Sequence, residues 1–300
     1  MHKATKIVLL CATGAVVLGC LIAFVGLCAV GFDFAKLNTA RFDERVYEID
    51  KPFQSIDIKD MDGDIEFLYV EEGPDRVICS ESTDLTHTVS VRDDTLIVQR
   101  LDGRPWYKHF GFWWGSGKVT VCLRASEFET LQLKTLSGDI TVPDGFRCEN
   151  AVVSAVSGDV FFRAAAAKSL TASSTSGDVT VGNACGTVAV SSVSGDVKIA
   201  NVLAETLSVS TTSGDIRLDR TTVNGMLNAK SVSGDIRFDD TDVGSAALQT
   251  TSGDINGAFE TPKNVETHTT SGAVNVSGAD PTAALCTAKT VSGDILIQIK

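Results

Sequence analysis

The sequence predicts an all-β protein: a parallel β-solenoid of about nine 19-residue coils with an N-terminal β cap, preceded by one transmembrane helix. Three observations predict it. The tripeptide Ser-Gly-Asp recurs with its acid at 139, 159, 178, 196, 215, 235, 254 and 294, and Ser271-Gly272-Ala273 is a further copy without the acid. Successive spacings of 20, 19, 18, 19, 20, 19, 19 and 21, with Ala273 counted, are the signature of a repeat architecture. Around each corner apolar and polar residues alternate, the pattern of a strand with one face inside.

The first element is residues 7–32, a run of 26 residues without a charge, long enough as a helix to cross a hydrocarbon core of about 30 Å. Lys3 and Lys6 precede it, so residues 1–6 are expected in the cytoplasm and the C-terminal bulk outside. The run exceeds the core of a signal peptide, so an uncleaved single-pass anchor is expected over cleavage near Ala29-Val30-Gly31 or lipoprotein processing at Cys20. Residues 33–43 read as a linker.

Residues 44–122 read as a β-rich cap or early coils. Val46–Ile49, Ser55–Ile58, Thr88–Val91 and Thr95–Val98 are expected strands, Asp93-Asp94 a turn, and Asp62-Gly63-Asp64-Ile65 echoes the repeat corner. Inside this stretch, residues 104–115 hold every Trp of the chain. Trp106, Tyr107, Phe110, Phe112, Trp113 and Trp114 are expected either to form a lid over the solenoid end or to contact a membrane surface or a glycan.

Residues 123–300 are the repeat proper. One position after the acid come Ile140, Val160, Val179, Val197, Ile216, Ile236, Ile255, Val274 and Ile295, all β-branched and expected to share one buried environment. Three after it come Val142, Phe162, Val181, Ile199, Leu218, Phe238, Gly257, Val276 and Ile297, with polar residues such as Lys198 and Arg217 between. Four before it stands a hydroxyl column, Thr135, Ser174, Ser192, Thr211, Ser231, Thr250, Thr269 and Thr290, broken by Ala155; these side chains are expected to bond one another or nearby backbone. Glycine suits a tight corner through its tolerance of positive φ, and Asp through bonds to local amides. No Pro occurs between Asp144 and Thr261, as in-register ladders require.

The net charge of −12, which becomes −14 once Lys3 and Lys6 are set aside with the anchor, argues against a nucleic-acid partner. Five cysteines follow the anchor, at 79, 122, 148, 185 and 286, with no CxxC pair. They read as small buried hydrophobes, with a Cys79–Cys122 bridge open. The column Asp139, Asp159, Asp178, Asp196, Asp215, Asp235, Asp254 and Asp294 is the candidate metal site, with calcium as its cation, set against the ordinary role of a turn Asp as acceptor of backbone N–H. Three before the acid, Leu136, Val156, Thr175, Val193, Thr212, Val232, Thr251, Thr270 and Val291 form a flat outward strip able to dock a polysaccharide. Past the anchor the histidines are His87, His109 and His268, read as surface residues outside any nucleophile motif, so no catalytic residue and no cofactor are expected.

The segments Leu131–Val142 (LQLKTLSGDITV), Leu207–Leu218 (LSVSTTSGDIRL) and Val291–Ile297 (VSGDILI) resemble the putative-adhesin family of bacterial β-strand-repeat proteins, a family of unknown function. The resemblance spans roughly residues 42–300 and implies a parallel solenoid at the bacterial cell surface, with no established catalytic residues. The expected function is a non-enzymatic, membrane-anchored extracytoplasmic module, an adhesin or envelope-interaction protein meeting cell-wall glycan or another envelope protein. A self-associating scaffold is the alternative, and a glycan-active β-helix enzyme a third reading.

Overall fold

The computed structural model describes residues 12–14, 16–21, 24–25, 28, 42–82, 85–103 and 117–300. Residues 12–14, 16–21, 24–25 and 28 are helical. No helix among the described residues is long and apolar enough to cross a membrane, and the rest of the expected anchor lies outside them. Asp43–Gly103 and Ser116–Lys300 form one compact unit, built from strands and turns.

That unit is the expected parallel solenoid. Each coil contributes a strand before the corner and a strand after it, and each pairs in parallel with its equivalents in neighbouring coils. Val160–Phe162, for example, lies between Ile140–Val142 and Val179–Gly182, and Arg147–Ser154 lies between Glu127–Lys134 and Ala165–Ser173. The β-branched column after the acid is enclosed, with Ile140, Val160, Val179, Val197, Ile216, Ile236 and Ile255 each 0% exposed. Gly257 interrupts the next inward column because a side chain there would run into the ring of Phe238, which packs on Phe259 with centroids 4.6 Å apart.

The order of coils in space departs from their order in the chain at both ends. The Asp64 coil, from the lead-in, stacks on the Asp139 coil: Ser55–Lys59 pairs with Glu127–Lys134, and Gly63–Tyr69 with Ile140–Val142. Beneath it lies a coil made by Thr95–Asp102 and Gly117–Leu123. At the other end the last coil of the chain, Ala284–Lys289 and Ile295–Ile299, is inserted between the Asp254 coil and the Ala273 coil. The terminal rung is therefore the Ala273 coil. Val274, expected to share the buried environment of its column, is instead 46% exposed, because no further coil among the described residues covers it.

The two ends differ in finish. Asp43–Glu48 and Arg76–Glu81 run antiparallel, Arg76–Glu81 pairs antiparallel with Gly117–Leu123, and Leu85–Arg92 forms a hairpin with Thr95–Asp102. Asp93 and Asp94 turn that hairpin at φ 47° and 55°, the two positive values a type I′ turn needs. At the C-terminal end, Lys263–His268 and Val274–Ser277 each pair on one side alone among the described strands.

The corner glycines have a different reason from the expected one. Positive φ is not their property at 138, 158, 177, 195, 214, 234 or 253. A Cβ at each would instead fall inside the carbonyl of the corner glycine one rung below, so glycine sits directly on glycine through the stack. The hydroxyl column locks this contact through backbone: Ser192 Oγ donates to Gly177 O at 2.9 Å and accepts from Gly195 N–H at 3.0 Å, and Ser174 does the same between Gly158 and Gly177.

The cysteines at 79, 122, 148, 185 and 286 are free. The Cys79–Cys122 bridge left open by the sequence does not form, because on the antiparallel pair Cys79 lies opposite Val119 and Cys122 opposite Arg76.

Candidate functional site

The corner acids form a continuous ladder from rung to rung. Asp159 N–H donates to Asp139 Oδ1 at 2.8 Å, Asp178 to Asp159 at 2.8 Å, Asp196 to Asp178 at 2.8 Å and Asp215 to Asp196 at 2.8 Å. The chain of bonds continues through Asp235, Asp254 and Asp294, and begins one coil earlier, where Asp139 N–H donates to Asp64 Oδ1 at 3.0 Å. Each carboxylate therefore satisfies the backbone of the next coil rather than of its own turn.

Beside the ladder runs a basic column, Lys198, Arg217 and Arg237, which occupy equivalent outward positions on adjacent strands. Arg237 Nη2 lies 2.8 Å from Asp235 Oδ2 and its Nη1 3.9 Å from Asp215 Oδ2. Acids and bases together line a shallow groove of about 290 Å³ across Asp178, Asp196 and Asp215.

The outward strip is exposed along its length: Leu136 49%, Val156 41%, Val193 47%, Val232 48% and Val291 52%. Spatial rung order gives it a regularity that chain order hides. With the Val291 coil inserted before the Thr270 coil, the column reads Val156, Thr175, Val193, Thr212, Val232, Thr251, Val291, Thr270, a strict alternation of valine and threonine.

Among the described residues, the densest chemistry lies in the N-terminal cap, at residues that the sequence pattern does not mark as a site. Asp60, Glu81, His87 and Arg100 are each 6–7% exposed. His87 sits between two carboxylates, with Nε2 3.0 Å from Asp60 Oδ2 and Nδ1 3.3 Å from Glu81 Oε1. Asp60 Oδ1 accepts from the amides of Met61, Asp62 and Gly63 and from Arg100 Nη1 at 2.9 Å, and Arg100 also pairs with Asp62. Glu81 Oε1 accepts from Tyr47 Oη at 2.7 Å and from His87 N–H at 2.6 Å. Burial pushes Asp60 upward, but the bonds from His87 and the charge of Arg100 outweigh it and hold the carboxyl below its ordinary value. Glu81 is likewise held low against burial, by Tyr47 and His87. Burial, then the carboxylates of Glu81 and Asp60, push the Cys79 thiol up to about 12. His87 is thus an enclosed residue and not the surface histidine expected, because residue type alone does not reveal its partners at positions 60 and 81.

Trp106, Tyr107, Phe110, Phe112, Trp113 and Trp114 lie outside the described residues.

A family model, Toastrack DUF4097, matches residues 53–242 and 185–300. The chain belongs to the Toastrack family. No curated protein matches it. Among solved structures, this Toastrack chain is similar to a putative adhesin from Bacteroides fragilis at 15% identity, over 87% of this chain and 98% of that one, with a TM-score of 0.45. It is also similar to a putative lipid binding protein from Parabacteroides distasonis at 16% identity, over 88% and 98%, TM-score 0.46. A third similar structure is a putative adhesin from Parabacteroides merdae, at 12% identity over 88% and 98%, TM-score 0.41.

Proposed function

We propose that this Toastrack chain is a non-enzymatic surface module of a bacterial cell membrane, anchored by residues 7–32 with its N-terminus cytoplasmic, whose solenoid binds an extended envelope partner such as cell-wall glycan. The observation that carries the reading is the alternating Val/Thr strip on one wall. Its side chains repeat at the rung spacing of about 4.8 Å, and Val156, Val193, Val232 and Val291 are all at least 41% exposed. A rigid row of apolar and hydroxyl groups suits a linear polymer, which offers apolar and hydroxyl faces at regular intervals. The anchor is supported by its uncharged length and by the exposed apolar side chains of its described helical residues, among them Leu18 at 59% and Val25 at 63%, which a bilayer would cover.

The test is saturable binding of the 42–300 fragment to whole cells, isolated wall and lipid vesicles, with and without a calcium chelator. Val193→Lys with Val232→Lys abolishes binding while leaving the fold intact. No saturable binding to any of the three overturns the reading. Chelator-sensitive binding adds a calcium role for the remaining oxygens of the Asp column, and product release from a polysaccharide panel replaces the reading with an enzymatic one.

Self-association is the second reading, favoured by the one-sided pairing of Lys263–His268 and Val274–Ser277. Copies meeting end to end through these edges would build a self-associating scaffold. A monomer at all concentrations in sedimentation equilibrium removes it.

A further inference from the structure

The cap cluster holds a donor set that neither the ladder nor the strip uses. Cys79 and Glu81 are alternate residues of one strand and point to the same enclosed side, and the adjoining strand Leu85–Arg92 brings His87 to them. A thiol sulfur, a carboxylate oxygen and an imidazole nitrogen from these three residues all lie within 4.8 Å of one another. All three residues are buried.

A second, independent feature is what a metal-binding histidine needs behind it. Asp60 Oδ2 lies 3.0 Å from His87 Nε2, and Asp60 is itself fixed by the amides of Met61, Asp62 and Gly63 and by Arg100. A carboxylate accepting the far ring N–H fixes the tautomer and leaves Nδ1 with its lone pair free, the usual arrangement behind a ligating imidazole. Here Nδ1 is the nitrogen that faces Glu81. Glu81 takes the Tyr47 hydroxyl and the His87 amide through Oε1, while Oε2 lies 3.5 Å from Nη1 of the exposed Arg45. A carboxylate oxygen is thus available without breaking the bonds that orient the residue.

We propose that Cys79, Glu81 and His87 form a binding site for a divalent transition-metal ion of the zinc type, with Asp60 as the outer carboxylate. Sulfur, nitrogen and carboxylate donors together select zinc or cobalt over calcium or magnesium, which take oxygen ligands. Metal–ligand bonds of about 2.0 to 2.3 Å require the three donors to close slightly, by rotation of the Glu81 and Cys79 side chains. The negative charge of Glu81 and Asp60, offset by Arg100 alone within the enclosed cluster, favours a cation there. Binding would clamp the strand Arg76–Glu81 to the hairpin beginning at Leu85 and so tighten the N-terminal end of the solenoid.

The test is cobalt(II) titration of the chelator-dialysed full-length chain in detergent. One equivalent of cobalt is taken up with a thiolate-to-metal charge-transfer band and the strong visible bands of four-coordinate cobalt, and zinc displaces it. Cys79→Ser, which changes one buried atom, removes the charge-transfer band while circular dichroism stays unchanged. Asp60→Asn weakens uptake at least about tenfold, and a metal-free thermal melt of that variant separates lost affinity from lost folding. Absence of the bands up to millimolar cobalt overturns the proposal, and so does a charge-transfer band that survives Cys79→Ser.

Discussion

The amide of Ala273 donates to Oδ1 of Asp294 at 2.7 Å, although Ala273 comes first in the chain. At every other step of the repeat ladder, a later residue donates to an earlier carboxylate. The reversal follows from the last coil being threaded inside the one before it, and it explains why position 273 lacks the acid: among the described residues no coil lies beyond it to present an amide. At the opposite end the position equivalent to Asp64 in the outermost coil is Lys118, which has no carboxylate to accept an amide. From Asp64 onward, a carboxylate stands wherever a following rung presents its amide.

Replacing one such carboxylate separates its acceptor role from its charge. In Asp215→Ala, the half-buried amide of Asp235 loses its partner, at a cost of about 1 kcal/mol. Asp215→Asn keeps the acceptor and stays within about 0.5 kcal/mol of the parent, because its ion pair with Arg237 is long and exposed. Urea denaturation of the two variants measures the difference, and equal losses would contradict the ladder.

Glycines in this protein serve two purposes that alanine substitution tells apart. Gly195→Ala drives a methyl into the carbonyl of Gly177, so the rungs must separate, at a cost of about 3 kcal/mol or more. Gly145 has open space around it but a φ of 99°, so Gly145→Ala costs the smaller backbone strain of about 1–2 kcal/mol. Thermal melts of both variants rank them.

Ala155 is the gap in the hydroxyl column, and it is 3% exposed. Ala155→Ser supplies the bonds that Ser174 and Ser192 make in the rungs above, here to Gly138 O and Gly158 N–H. The expected gain is about 1 kcal/mol, visible as a raised denaturation midpoint with unchanged slope.

Acid should loosen the cap. Asp60 and Glu81 are held below their ordinary values of 3.8 and 4.5, against burial, by His87, Arg100 and Tyr47. A carboxylate with a depressed folded value contributes stability that is complete above its unfolded value and is lost as pH falls through the folded one. Stability of the metal-free chain is therefore flat above about pH 5 from these two groups and falls below it, and Asp60→Asn with Glu81→Gln flattens that fall. An unchanged acid limb in the double variant would remove the cap from the explanation.

Much of this fold is legible because the repeat is local and iterated. The inward column from Ile140 to Ile255, the corner and the absence of Pro each repeat a decision made within one coil. The stacking order at the ends is not local: every coil offers the same edge, so nothing inside Val291–Ile297 states that it pairs with the Asp254 coil. Ala273 is the one sequence signal of that order, and its meaning emerges once carboxylates are seen to bond the following rung. The reason for glycine is also hidden, since close stacking and positive φ select the same residue. The cap cluster escapes for a related reason. Glu81, His87 and Arg100 lie on three separate strands and Asp60 just after a fourth, brought together by one parallel pairing and by antiparallel pairings that interrupt the repeat.

Rung order underlies the ladder's end, the alternation of the strip and the exposed terminal coil, so it is the claim to test most directly. Ser292 is bridged to Ser252 on one side and to Ser271 on the other. Paired cysteines can join across neighbouring strands about 4.8 Å apart, but not across two rungs at roughly 10 Å. Under mild oxidation, Ser252→Cys with Ser292→Cys forms a crosslink detectable by mass spectrometry, and Ser252→Cys with Ser271→Cys does not. A 252–271 crosslink without the 252–292 one would restore chain order and contradict the account.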